Sequence, residues 1–185
     1  VFPMVFCILR GNGLIAKYVD RGSMVSLVAA PVKRQKIACT QASVLISGVI
    51  LLLGYATVLE IVVAQGGFPN ELEIAELLKL NSGLFCLLLF IAGICFLASC
   101  LFSDTRYSIG LGAGIPALMY VLQMLANAGE DAEKAKYFTF FTLFQPENLV
   151  AGKSSALMGV TILLIGGIAL FAAGIFLFCK KDLYI

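Results

Sequence analysis

The sequence predicts an all-α, polytopic transmembrane helix bundle, on three observations: 61% of its residues are hydrophobic, only 13% are charged, and four uncharged runs are long enough to cross a bilayer. Soluble domains carry about 45–50% apolar and roughly 25% charged residues, so a chain of this composition cannot keep its surface wet, and lipid is its solvent. A hydrocarbon core about 30 Å thick takes about 20 helical residues, and the runs meet that length. Strands are excluded by pattern: barrel segments alternate every second residue, whereas Leu87-Leu88-Leu89-Phe90-Ile91 does not.

The first segment, residues 1–16, begins with an apolar stretch followed by Arg10 and Lys17. A secretory signal places positive charge before its apolar core, so this segment is expected to be the end of a truncated helix passing into the cytoplasm. Residues 17–36, KYVDRGSMVSLVAAPVKRQK, form a cytoplasmic segment. Within it Ser23 can cap a helix after Gly22, Met24, Val25, Leu27 and Val28 give short apolar turns, and Pro31 stops them. Residues 37–64 are the next span, with an uncharged heart at 42–59. Gly66-Gly67 and Pro69-Asn70 mark a turn, and residues 71–79 read as an acidic helical stretch. Spans at 80–103 and 107–129 follow, separated by Ser103-Asp104-Thr105-Arg106. Pro116 is expected to bend or break the second of these and to free carbonyls that neighbouring helices must satisfy. Residues 130–153 form an outer segment whose YFTFFTLFQP run, 137–146, is too short to span and reads as interfacial or re-entrant. The last span is 154–179.

Lys and Arg beside the spans set orientation. With the first segment exiting into the cytoplasm, nine basic residues (Arg10, Lys17, Arg21, Lys33, Arg34, Lys36, Arg106, Lys180 and Lys181) lie inside, against four outside (Lys79, Lys134, Lys136 and Lys153). Five alternating crossings then leave the C-terminal Lys180-Lys181-Asp182 in the cytoplasm.

Little in the chain can do covalent chemistry, so it is not expected to be an enzyme. It has no His, and its six Cys (7, 39, 86, 95, 100 and 179) form no C-x-x-C pair, which reads as free thiols behaving as small apolar groups and predicts neither a catalytic nor a metal site. Ionisable groups inside a bilayer are costly and usually functional; the nearest candidate, Glu60, sits at the outer end of its span and reads as an interfacial carboxylate. Ala151-Gly152-Lys153-Ser154-Ser155 resembles the end of a phosphate-binding loop, but Glu147 stands where that loop needs Gly. No cofactor is therefore expected on this chain. Gly110 and Gly114 form a G-x-x-x-G pair suited to close helix packing, within the chain or at a dimer seam.

The stretch from Val19 to Arg34, with an acidic residue, Gly22-Ser23, a short apolar helix, Pro31 and then basic residues, resembles the corresponding segment of type-2 ATP-binding cassette (ABC) export permeases. The Ser103–Arg106 turn, the aromatic outer segment ending near Pro146 and the final Lys-Lys-Asp are similar to that family as well. The resemblance implies a six-helix permease half, about five helices of which are represented here, and a transport subunit that exports cargo without catalysis of its own. It also implies pairing with an identical or different second permease, and separate cytoplasmic ATPase subunits that bind the ATP. By that resemblance Gly22, Ser23, Met24, Val25, Leu27, Val28 and Pro31 make the coupling helix that docks into the ATPase, in a bacterial plasma membrane and with no nucleic-acid partner. The alternative expectation is a membrane anchor or assembly protein that binds partners and transports nothing.

Overall fold

In a computed structural model of the chain, residues 2–14, 34–67, 73–102, 104–128 and 139–180 are described. Among them every regular element is helical: α1 Phe2–Gly13, α2 Arg34–Gly67, α3 Ile74–Leu101, α4 Thr105–Ala128, a 3-10 turn Phe140–Leu143, α5 Pro146–Val150 and α6 Ser154–Lys180. Helices α2, α3, α4 and α6 are each long and apolar enough to cross a membrane, and α1 is a shorter apolar helix. The chain is thus a multi-pass helical membrane protein.

Polar side chains ride these apolar helices because their hydroxyls fold back onto the helix's own carbonyls. Along α2, Thr40 donates to Lys36 O at 2.7 Å, Ser43 to Cys39 O at 2.8 Å and Thr57 to Leu53 O at 2.8 Å. Helix α4 starts on a cap: Asp104 Oδ1 accepts from the Arg106 N–H at 2.8 Å, satisfying a donor that the first turn would otherwise leave open.

Helix α3 is the axis of the bundle. Its Leu87, Leu88, Ile91, Ala92, Cys95, Phe96, Ala98 and Cys100 are all buried, and α1, α2, α4, α5 and α6 all touch it. Close approach depends on glycines. A Cβ at Gly167 would lie 2.6 Å from Leu89 Cδ2, one at Gly174 2.9 Å from Phe96 Cδ1, and one at Gly11 2.6 Å from Cys95 Cβ.

These pairings also fix direction. Along α6, Gly166 and Gly167 meet Leu89 and Phe90 while Gly174 meets Phe96 and Cys100, so α6 runs parallel to α3. Helix α1 does the same, with Cys7 reaching Leu88 O and Gly11 reaching Cys95. Helix α2 is antiparallel to α1, since Phe6 packs on Gly48 and Gly11 near Leu45. Helix α4 returns from the tight turn after α3, with the Phe102 and Tyr107 rings 6.3 Å apart across it. Hence α1, α3 and α6 point one way and α2 and α4 the other. One end of the bundle gathers Arg10, Arg34, Lys36, Arg106 and Lys180 from the described helices; the opposite end carries Glu60, Glu73, Glu76, Lys79, Glu147 and Lys153.

Three local expectations are corrected. Residues 74–79 of the acidic stretch are the start of α3 rather than a segment ahead of the span: Glu73 stands at the N-cap position without a side-chain cap bond, the first turn holds Glu76, a placement the helix dipole favours, and the helix runs unbroken to Leu101. Gly66 and Gly67 are the last residues of α2 rather than a turn beyond it. Helix α4 continues through Pro116 without a break. A proline at 116 removes the N–H that would bond the carbonyl four residues earlier, that of Gly112. That carbonyl instead accepts from Cys95 Sγ of α3 at 3.1 Å, and Pro116 is itself fully buried.

Candidate functional site

The acidic end of the bundle is closed by residues 139–153, which dip between the ends of α3, α4 and α6. The 3-10 turn Phe140–Leu143 is too short to hold itself, and its neighbours fix it. Phe140 and Phe141 stack at 4.6 Å; Phe140 lies 5.3 Å from Phe90 of α3, and Phe141 meets Tyr120 of α4 edge-on at 6.0 Å. Tyr120 and Phe90 lie well inside their helices, so the aromatic turn enters the bundle from that end. Glycines make room for it. The carbonyl of Leu143 occupies the place a Cβ at Gly159 would take, and a Cβ at Gly83 would meet Leu149 Cδ2 at 2.5 Å and Phe144 Cε2 at 3.0 Å.

A small polar network anchors the turn to α4. Gln123 Oε1 accepts from the Thr139 hydroxyl at 2.5 Å and from the Thr142 hydroxyl at 3.3 Å, and the two threonine oxygens are 3.0 Å apart. On its outer side α5 follows with Pro at its first position; Asn148 Nδ2 donates to Gln145 Oε1 at 2.6 Å. Gly152, at φ +68°, turns the chain from α5 into α6. The Gly152-Lys153-Ser154 stretch is therefore a link between two helices, and α5 rather than a strand precedes it, which is not the setting of a phosphate-binding loop. Between α4, the aromatic turn and α5 lies a cleft of about 380 Å³ whose walls include Gln123, Phe141, Phe144, Glu147 and Asn148.

A second polar cluster joins α2 to α3 near the same end. Buried Asn81 donates to Thr57 Oγ1 at 2.9 Å and to Glu60 Oε2 at 3.1 Å. Glu60 is exposed, and its carboxylate here serves as an acceptor for the α3 amide.

The residues singled out from sequence fall in different places. Gly22, Ser23, Met24, Val25, Leu27, Val28 and Pro31, the expected coupling segment, lie outside the described residues. Gly110 and Gly114 face open space, with nothing near the position of a Cβ, so neither is used for packing within the described chain. Pro116 is buried beside α3. All six cysteines are free thiols, and among the described residues no group of His, Cys, Asp and Glu could hold a metal. Sequence reasoning passed over Gln123, Thr139, Thr142 and Asn81. A signal for Gln123 was present, since an amide inside an apolar span demands a partner. No protein-family model matches the chain, and no curated protein or solved structure does so either.

Proposed function

We propose that the chain is the membrane-spanning permease subunit of an ATP-binding cassette exporter, which contributes the transport path and leaves ATP hydrolysis to separate subunits. The observation that carries this reading is the segregation of charge in an alternating bundle: Arg10, Arg34, Lys36, Arg106 and Lys180 share one end, which the positive-inside rule assigns to the cytoplasm. The chain between α1 and α2 joins two helix ends on that side, and its sequence is the part that resembles a coupling segment. A load applied there acts on α1 and α2, and both seat directly on α3 through Gly11, Cys7 and Asn81. The same load tilts the helices that hold the outer aromatic turn. In this scheme the cytoplasmic end receives work from the ATPase, and the outer end, closed by the Gln123-anchored turn, opens for the cargo.

The test is a pull-down of the partner ATPase with a Leu27→Asp variant, accompanied by a membrane-insertion assay. The expected result is loss of the ATPase with insertion unchanged, because a buried charge in an apolar docking face is costly. Recovery of an unchanged amount of ATPase overturns the coupling role. Orientation is tested apart from docking: Lys33→Cys in intact cells is expected to escape an impermeant thiol reagent, and its labelling refutes the topology.

A further inference from the structure

We propose that the cleft between α4, the aromatic turn and α5 is a binding site for a small organic cation, an amine or quaternary ammonium group carried by a solute or a lipid headgroup. At about 380 Å³ the cleft falls within the roughly 300–1,000 Å³ typical of small-molecule sites. Its chemistry is selective. Phe141, Phe144 and Pro146 supply apolar and aromatic walls, Gln123 and Asn148 supply amides, and Glu147 supplies a carboxylate, while none of the described residues lining it is basic. An anionic ligand would meet that carboxylate with nothing to neutralise it. A cation gains twice, from the carboxylate and from the negative faces of the rings.

Three hydrogen bonds shape the site. Gln123 Oε1 is taken by the threonine hydroxyls and Gln145 Oε1 by Asn148 Nδ2. Neither Asn148 Oδ1 nor the Glu147 carboxylate takes part in those bonds, and both residues line the cleft as acceptors for a cation. The surrounding field has the same preference. Among the described residues at this end, Glu60, Glu73, Glu76 and Glu147 stand against Lys79 and Lys153, two negative charges in excess. A net negative charge at this end of the bundle raises the local concentration of cations. The proposal does not depend on ATPase coupling, so it stands or falls apart from the transport reading.

The experiment is saturation-transfer NMR on the full chain in neutral dodecyl maltoside micelles, with choline as the probe and 3,3-dimethylbutan-1-ol, its uncharged isostere, as the control. A saturable choline methyl signal is expected, with binding about fivefold to tenfold weaker in Glu147→Gln, and no saturable signal from the isostere. Equal signals from choline and the isostere on the unaltered protein overturn the proposal and make the cleft an apolar one. Undiminished choline binding in the exposed-site variant Glu147→Gln overturns it too. Micelles doped with phosphatidylethanolamine identify the source: displacement of choline supports a lipid headgroup as occupant, and its persistence supports a soluble cation.

Discussion

Helices α2 and α3 are both apolar along their membrane segments, yet 67% of the α3 segment is buried among its neighbours against 11% of the α2 segment. Leu51, Tyr55, Val58, Val62 and Val63 of α2 look outward, while α3 turns Leu88, Ile91, Cys95 and Phe96 onto other helices from every side. Apolarity thus puts a helix in the membrane without choosing its place in the bundle, because lipid tails solvate Leu as well as another helix does. The choice is made by backbone approach. Around α3 the facing positions are Gly11, Gly166, Gly167 and Gly174, with Gly83 and Gly93 on α3 itself, whereas Gly54 of α2 meets nothing.

The strongest way to break this contrast is to fill one of the central contacts. In Gly167→Leu the new side chain starts 2.6 Å from Leu89 Cδ2 and 3.2 Å from the Phe90 nitrogen, and backbone cannot retreat as a side-chain tip can. Overpacking costs about 1–3 kcal/mol where neighbours can adjust and more where they cannot, so α3 and α6 are expected to separate. Thermal unfolding in detergent followed by size-exclusion chromatography checks this: the expected outcome is a fall in melting temperature of several degrees, on the order of 3–10 °C, with loss of the monodisperse peak. Gly54→Leu on α2 is expected to leave both unchanged.

A smaller effect is expected where α3 supports α4. Cys95 is fully buried, and its thiol satisfies the Gly112 carbonyl that Pro116 leaves without an intrahelical partner. Cys95→Ala removes that donor and leaves a small void, at a cost of about 1–3 kcal/mol. Cys95→Ser keeps a donor and is expected to recover most of the loss. Pro116→Ala, which restores the α4 hydrogen bond, should make Cys95→Ala nearly silent. A double-mutant cycle on melting temperature measures that coupling, and additivity of the two changes would show that thiol and proline act independently.

Smaller again is the tie between the two contrasted helices. Asn81 bridges to Thr57 and Glu60, and Asn81→Leu exchanges that pair of bonds for an apolar contact. Interhelical hydrogen bonds in membranes average about 0.6 kcal/mol and reach about 1.7, so a fall in melting temperature of a few degrees is expected, with α2 loosening before α3. Amide exchange in the outer half of α2 that rises relative to α3 is the signature to measure.

Much of the fold was legible because length and charge act locally. Runs without Lys, Arg, Asp or Glu gave the four long helices near their observed bounds, and the ten-residue aromatic run was too short to span, as its 3-10 turn and short α5 make physical. The charges at helix ends gave an alternation that the contacts of Gly11, Gly48 and Gly174 match. The central position of α3 was not legible, since it depends on which glycines face which helix, and that requires the rotation of every helix about its axis. For the same reason the network of Gln123, Thr139 and Thr142 could not be assembled beforehand: its members are 16 and 19 residues apart, and the turn between them places them together. Pro116 illustrates both sides. Its freed carbonyl follows from chain chemistry, but that Cys95 would answer it depends on helix packing.

The smallest expected effect is the one that sharpens the contrast most. Gly110 of α4 belongs to the same G-x-x-x-G type that marks tight packing, yet nothing lies near the position of its Cβ, and Tyr107, Ile109, Leu111 and Leu118 beside it are exposed. If backbone approach within the chain were its purpose, Gly110→Leu would be as damaging as Gly167→Leu. The structure gives the opposite expectation. Leucine at this open helical position adds no clash and replaces the least favourable helix former after proline, so stability of the single chain in detergent should hold or rise slightly, within about 0.5 kcal/mol. Native mass spectrometry from the same sample provides the second reading. A variant that keeps its melting temperature but loses a dimer seen with the unaltered chain places the Gly110 face against a second subunit. A variant whose melting temperature falls as far as that of Gly167→Leu removes the distinction between central and peripheral glycines altogether.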